Sequence, residues 1–127
     1  MSEGPAHPVI GDLGLTEVPD HGVVDLAAEG ERLLEQARAG GTGRAVRAVV
    51  RQPGQQVILM AFLAGGGLPA HDAPGPASLH CLTGAVRLTA GERSWELTPG
   101  TVVRIPDATH DVTAHEDSTC LLVVSGR

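Results

Sequence analysis

The spacing of hydrophobic positions along this chain changes once, near Arg44. Before it, Leu26, Leu33, Leu34 and Ala37 recur at helical intervals, and Glu29, Glu31, Arg32, Glu35 and Arg38 take the remaining surface. Asp25 stands where an N-cap carboxylate accepts from the first free backbone N–H groups, and Gly40-Gly41 ends the run. The pattern predicts an amphipathic helix over Leu26–Ala39, its apolar stripe covering a neighbouring sheet or a subunit seam. Residues 1–24 are rich in Gly, Pro and Asp, with Val9, Ile10, Leu13, Leu15 and Val18 set singly among them. They read as an irregular arm whose apolar positions dock on the domain or on a partner subunit.

From Arg44 onward the period is two, and turn residues recur every 8–12 positions. Arg44–Arg51 places Val46, Ala48 and Val50 on one face. Gln52-Pro53-Gly54-Gln55 turns the chain into Val57–Ala64, a nearly continuous apolar run that Gly65-Gly66-Gly67 breaks. Further strands are expected at Ser78–Thr83, Ala85–Ala90, Arg93–Leu97, Thr101–Ile105, His110–Ala114 and Thr119–Ser125. Eight short strands with no helix among them predict an all-β jelly roll. Trp95 and Leu97 share a strand face, so Trp95 is expected inside the sandwich.

Composition narrows the functions available. The net charge is −6, all nine basic residues are scattered arginines, and Phe62 and Trp95 are the only aromatics besides histidine. Nucleic-acid binding needs concentrated positive charge or stacking platforms, and this chain offers neither. No apolar run reaches the ~20 residues that span a bilayer, and the first residues lack a basic and apolar leader pattern. A cytoplasmic protein is the expectation. Cys81 and Cys120 lie in apolar surroundings, far from any C-x-x-C spacing, and read as reduced core cysteines on strands; a disulfide between neighbouring strands is the alternative. No Walker loop, G-x-G-x-x-G or Ser-His-Asp grouping is present.

Two segments carry a family resemblance. Gly100-Thr-Val-Val-Arg-Ile-Pro106-Asp-Ala-Thr-His110 follows the spacing Gly, five residues, Pro, three residues, His. Upstream, His71 and Gly84 stand at the first His and closing Gly of a Gly…His-x-His…Glu…Gly pattern, and Gly65 lies nearest to its opening Gly. These segments resemble the two motifs of the cupin superfamily, and His71-Asp-Ala-Pro-Gly-Pro-Ala77 resembles the loop of its small single-domain members. The resemblance implies a cupin double-stranded β-helix, a jelly-roll barrel, over residues 44–127, preceded by an arm and helix over 1–43. It departs from the family at two positions: Ala73 replaces the second His and Ala77 replaces the Glu.

In metal-binding cupins three His and one Glu hold a divalent ion. Here the resemblance implies His71 and His110 as metal ligands, with Zn, Fe, Mn or Ni as the cofactor if one is held. Three or four ligands are the rule for such ions, so a third donor is needed. His80 is the candidate. If Ala77 points inward, strand alternation turns His80 outward, whereas a bulge between them would turn it inward. His71, His110 and His80 are therefore the candidate ligand-binding residues, and no catalytic residue is assigned. Asp72 and Asp111 read as rim charges, and His7, His21 and His115 as solvated. The function expected is binding of a small molecule or metal ion in the barrel mouth; the alternative is a metal-dependent dioxygenase or isomerase. Small cupins resemble dimers, so a homodimer is expected.

Overall fold

The computed structural model describes residues 22–72 and 75–126. The arm's singly set apolar positions, His7, His21 and Ala73 lie outside the described residues. Helix α1 runs over Leu26–Gly40, capped as the sequence predicts: Asp25 Oδ1 accepts from the Ala28 N–H at 3.1 Å, and Gly41 closes the helix at φ 84°. Nine strands follow: β1 Arg44–Gln52, β2 Gln55–Phe62, β3 Gly67–His71, β4 Ala77–Thr83, β5 Val86–Ala90, β6 Arg93–Leu97, β7 Thr101–Arg104, β8 His110–Ala114 and β9 Ser118–Ser125.

The strands form two antiparallel sheets in the orders β1-β2-β9-β4-β7 and β3-β8-β5-β6. Their inner faces share one core, in which Ile58, Met60, Phe62, Leu79, Leu88, Val112 and Leu122 pack together. Helix α1 lies on the outer face of the larger sheet. There Leu33, Leu34 and Ala37 join Ala45, Val49, Leu59 and Ala61 in a second cluster, and Val24 packs against it. Strand β2 is thus buried on both faces, which explains its unbroken apolar run. Burial of each large aliphatic side chain contributes about 1.5–3 kcal/mol. Glu29 pairs with Arg47, tying the helix to β1, and Arg38 pairs with Asp117 at 3.2 Å.

The structure corrects the strand pattern at Val50, which a bulge after Ala48 leaves exposed rather than on the face of Val46 and Ala48. It also corrects two larger expectations. The segment after the triple glycine, to which the sequence pattern assigns no strand, is one. Its sequence, Gly67-Leu-Pro-Ala-His71, carries a Gly and a Pro and shows no strand pattern of its own. It is a strand because β8 supplies the ladder: β3 is an edge strand, where a proline without an N–H is tolerated. A Cβ on Gly67 would lie 1.9 Å from the Val112 carbonyl oxygen, so only glycine lets the two backbones approach this closely.

Trp95 is the second correction. Strand β6 is the opposite edge of the smaller sheet, and the indole packs against the core only partly buried, with the Arg93 guanidinium 5.2 Å from the ring centroid. Trp95→Ala should therefore cost about 2 kcal/mol, below the ~3–5 kcal/mol of a fully buried aromatic. Urea titration measures this. A loss above about 4 kcal/mol would mean that the ring is fully enclosed.

Candidate functional site

One end of the sandwich gathers the residues the motifs single out. His71 ends β3, His110 opens β8, and the two are direct partners in the ladder. Their rings meet edge to face, with centroids 4.3 Å apart. Each Nδ1 lies 2.8 Å from the backbone carbonyl two residues earlier, Pro69 for His71 and Ala108 for His110. A carbonyl can only accept, so Nδ1 carries the hydrogen in both rings. In a neutral imidazole that leaves the lone pair on Nε2. Backbone bonds of this kind also fix the ring orientation. His110 is buried, at 2% exposure, and His71 is partly buried.

The larger sheet supplies the facing wall. The loop after His71 leads within a few residues to Ala77, which starts β4 and packs against the inner core. The Ile105 N–H donates to the Ala77 carbonyl at 3.0 Å, and the Ser125 N–H donates to the Pro76 carbonyl at 2.8 Å. These bonds close the strand ends around the same mouth. Across the rim, the Thr109 hydroxyl donates to Asp72 Oδ1 at 2.8 Å, tying the segment after His71 to the one before His110. Asp72 is exposed, as expected of a rim charge, and Asp111 is half-buried.

His80 does not join this pair. Ala77, Leu79 and Cys81 face the inner core, so alternation turns His80 to the outer face, where its Nε2 lies 3.1 Å from Ser78 Oγ. The bulge that would have reversed it is absent. The β4 register with β9 is regular from Ala77 through Cys81 and shifts only beyond, between Cys81 and Thr83. His80 is accordingly withdrawn as a mouth ligand.

His115, expected to be solvated, is half-exposed and pairs with Glu96 at 2.8 Å. Arg87 and His115 together hold the Glu96 carboxyl below its usual range. This ion-pair cluster lies on the surface of β5 and β6, away from the mouth.

Among the described residues, those at the mouth do not complete a divalent metal centre. His71 and His110 supply two nitrogens, and Ala77, at the position of the family's Glu, supplies no donor. Among the described residues no group of three or more His, Cys, Asp or Glu is placed to share an ion. Transition-metal sites in proteins take three or four protein ligands.

Sequence reasoning passed over Gln56. On β2 it falls in phase with Ile58, Met60 and Phe62, which face the core, and its ladder partner Val124 also packs in the core. Val124 pairs in turn with Ala77, so Gln56 stands two strands from Ala77 at the mouth. The readable signal was a polar residue on the core phase of an apolar strand.

The architecture defines a two-sheet antiparallel jelly roll with a histidine pair at one end. Comparison with solved structures narrows this class. A conserved protein of unknown function from Streptococcus pyogenes is similar over 90% of this chain and 97% of its own, at 18% identity and a TM-score of 0.66. A cupin superfamily protein from Desulfitobacterium hafniense is 18% identical over 66% of this chain and 78% of its own, with a TM-score of 0.62. An RmlC-like cupin from Desulfovibrio desulfuricans is 22% identical over 65% of this chain and 81% of its own, with a TM-score of 0.58. The chain has the cupin fold. No sequence-family model and no curated protein matches it. No helix among the described residues is long and apolar enough to cross a membrane.

Proposed function

We propose that this chain is a binding protein that takes a small molecule in the barrel mouth, with His71 and His110 as its polar contacts and no resident metal. The observation that carries this is the histidine pair itself: the two rings meet edge to face at one end of the core, each oriented by its Nδ1–H donating to a backbone carbonyl, which leaves Nε2 of the buried His110 as an acceptor atom. Leu68 and Val112, one ladder step from the histidines, give the surroundings their apolar character, along with Ala77 and Ile105. A ligand with an apolar body and a hydrogen-bond donor suits such a pocket. The dioxygenase or isomerase alternative needs a third metal donor, which neither Ala77 nor His80 supplies.

Ligand-observed NMR with a fragment library tests this on wild type and on the double variant His71→Phe/His110→Phe. Phenylalanine keeps much of the ring packing and removes the acceptors. Fragments that bind wild type should lose about tenfold in affinity, the worth of one or two buried hydrogen bonds. Binding should persist in excess EDTA. His115→Ala, outside the mouth, should change nothing. Equal affinity for wild type and the double variant, or no fragment bound at all, overturns the proposal. Binding abolished by EDTA would favour the metal-dependent reading.

A further inference from the structure

The chain has two cysteines, and the fold sets them face to face. Cys81 on β4 and Cys120 on β9 are direct ladder partners, both free, and both belong to the inner core. We propose that they are the two halves of a reversible cross-strand disulfide, a redox lock that closes while the chain is open and is then kept covered by the core. The lock stands apart from the binding role proposed for the mouth and does not depend on it.

The hydrogen-bond phase of the ladder decides whether two such cysteines can be joined. The Ser125 N–H donates to the Pro76 carbonyl at 2.8 Å, one rung before the Ala77–Val124 pair. Bonded and non-bonded rungs alternate in an antiparallel ladder. Ser78–Val123 and His80–Leu121 are therefore bonded rungs, and Cys81–Cys120 is a non-bonded one. The other edge of β4 agrees: the Ile105 N–H donates to the Ala77 carbonyl, so Ala77, Leu79 and Cys81 turn their backbone groups to β7 and away from β9. Partners on a non-bonded rung have Cα atoms about 4.5 Å apart and the closer side chains, within the span of about 4.4–6.8 Å that a disulfide bridges. The register shifts just beyond, between Cys81 and Thr83, so the pair occupies the last regular rung, where the backbone can adjust. Little is lost with the thiol hydrogen, because the Cys81 thiol has only long contacts, 3.5 Å to the Thr83 carbonyl oxygen and 3.8 Å to that of Gly84.

Closure takes an oxidant of the small-disulfide class, such as glutathione disulfide. One cysteine thiolate attacks the oxidant's S–S bond, forms a mixed disulfide and expels one thiolate. The second cysteine then attacks the protein-bound sulfur and expels the other. Two S–H bonds are lost, one Cys81–Cys120 bond forms, and the oxidant leaves as two thiols that carry off the two protons. Access sets the timing. With 1% and 0% exposure the sulfurs are out of reach in the closed sheet, so exchange occurs as the chain folds or when the ladder opens. Once made, the bond ties off residues 81–120, the stretch that carries His110, and restricts the unfolded chain.

The test refolds the full chain from urea, either with reduced glutathione alone or with reduced and oxidised glutathione together. The oxidising mixture should give a protein about 2 Da lighter, a non-reducing digest in which one peptide pair joins Cys81 to Cys120, and a melting temperature about 10 °C above that of the reduced form. Folded, reduced protein placed in the same mixture should close at least about a hundredfold more slowly than the refolding chain. Cys81→Ala/Cys120→Ala should melt at one temperature in both mixtures. Two thiols still free after oxidative refolding, glutathione retained on either cysteine as the end product, or a linked form that melts no higher than the reduced one overturns the proposal, and the pair is then core packing alone. Closure as fast in the folded protein as in the refolding chain overturns the lock, because the sulfurs would be within reach. An equal shift in the double variant also overturns it, because glutathione and not the bond would be the cause.

Discussion

Gly84→Ala should cost about 4 kcal/mol or more and leave little folded protein. Gly84 follows β4 at φ 84°, a left-handed conformation that costs a residue with a Cβ about 1–2 kcal/mol. Steric conflict costs more. A Cβ there would lie 2.1 Å from Ser118 Oγ, 2.4 Å from the Asp117 carbonyl oxygen and 2.7 Å from Ser118 Cα. Ser118 has nowhere to go. It is fully buried, its hydroxyl accepts from the Ala85 N–H at 3.0 Å, and it donates to the Glu116 carbonyl at 2.7 Å. Moving it strands buried polar groups, each worth about 1–3 kcal/mol. Gly91 is the control: its φ is 61°, and a methyl group added there would meet nothing within 4 Å, so Gly91→Ala carries only the backbone cost. Urea denaturation of the two variants separates the steric cost from the backbone cost. Equal losses would mean that the Ser118 contact yields without penalty.

Gly84 was legible in the sequence because a conformational demand leaves a residue type behind. The same holds for His71 and His110, whose places are set by motif spacing, and for α1, whose cap, stripe and stop all agree. The strand β3 was not legible. Its existence depends on the β8 backbone, a partner some 40 residues away, and Gly67 and Pro69 hide it by local propensity. Trp95 was misplaced for a related reason: alternation tells which face a residue takes, but not whether its strand ends up at a sheet edge. His80 turned on a single register question, and the regular β4–β9 ladder answered it. Gln56 was visible as a polar residue in phase with Ile58 and Met60. Only the structure shows that its oxygen is buried without a donor.

The protein should lose stability steeply above pH 9, and two thiols should account for nearly all of the loss. Cys81 and Cys120 are directly opposed on β4 and β9, both free, with 1% and 0% exposure. Burial pushes both thiols up from their ordinary values, Cys120 strongly. The charged form of Cys120 is disfavoured further by the neighbouring Cys81. The folded thiols therefore stay protonated while those of the unfolded chain, titrating near pH 8.5, lose their protons. The unfolded state then binds fewer protons than the folded one, so stability falls as pH rises, by up to about 1.4 kcal/mol per pH unit per thiol. The contribution is fully present below about pH 8.5 and is lost progressively above it, Cys120 and Cys81 acting in the same direction. The composition makes the test clean. The chain contains no Lys and no Tyr, so its other side chains do not titrate between pH 9 and 11; the arginines titrate higher and the amino terminus about a unit lower. Urea midpoints in the presence of a phosphine reductant, taken from pH 8 to 11, should fall for wild type and stay nearly level for Cys81→Ala/Cys120→Ala. A wild-type profile as flat as that of the double variant would show that the thiols ionise in the folded barrel as readily as in the open chain.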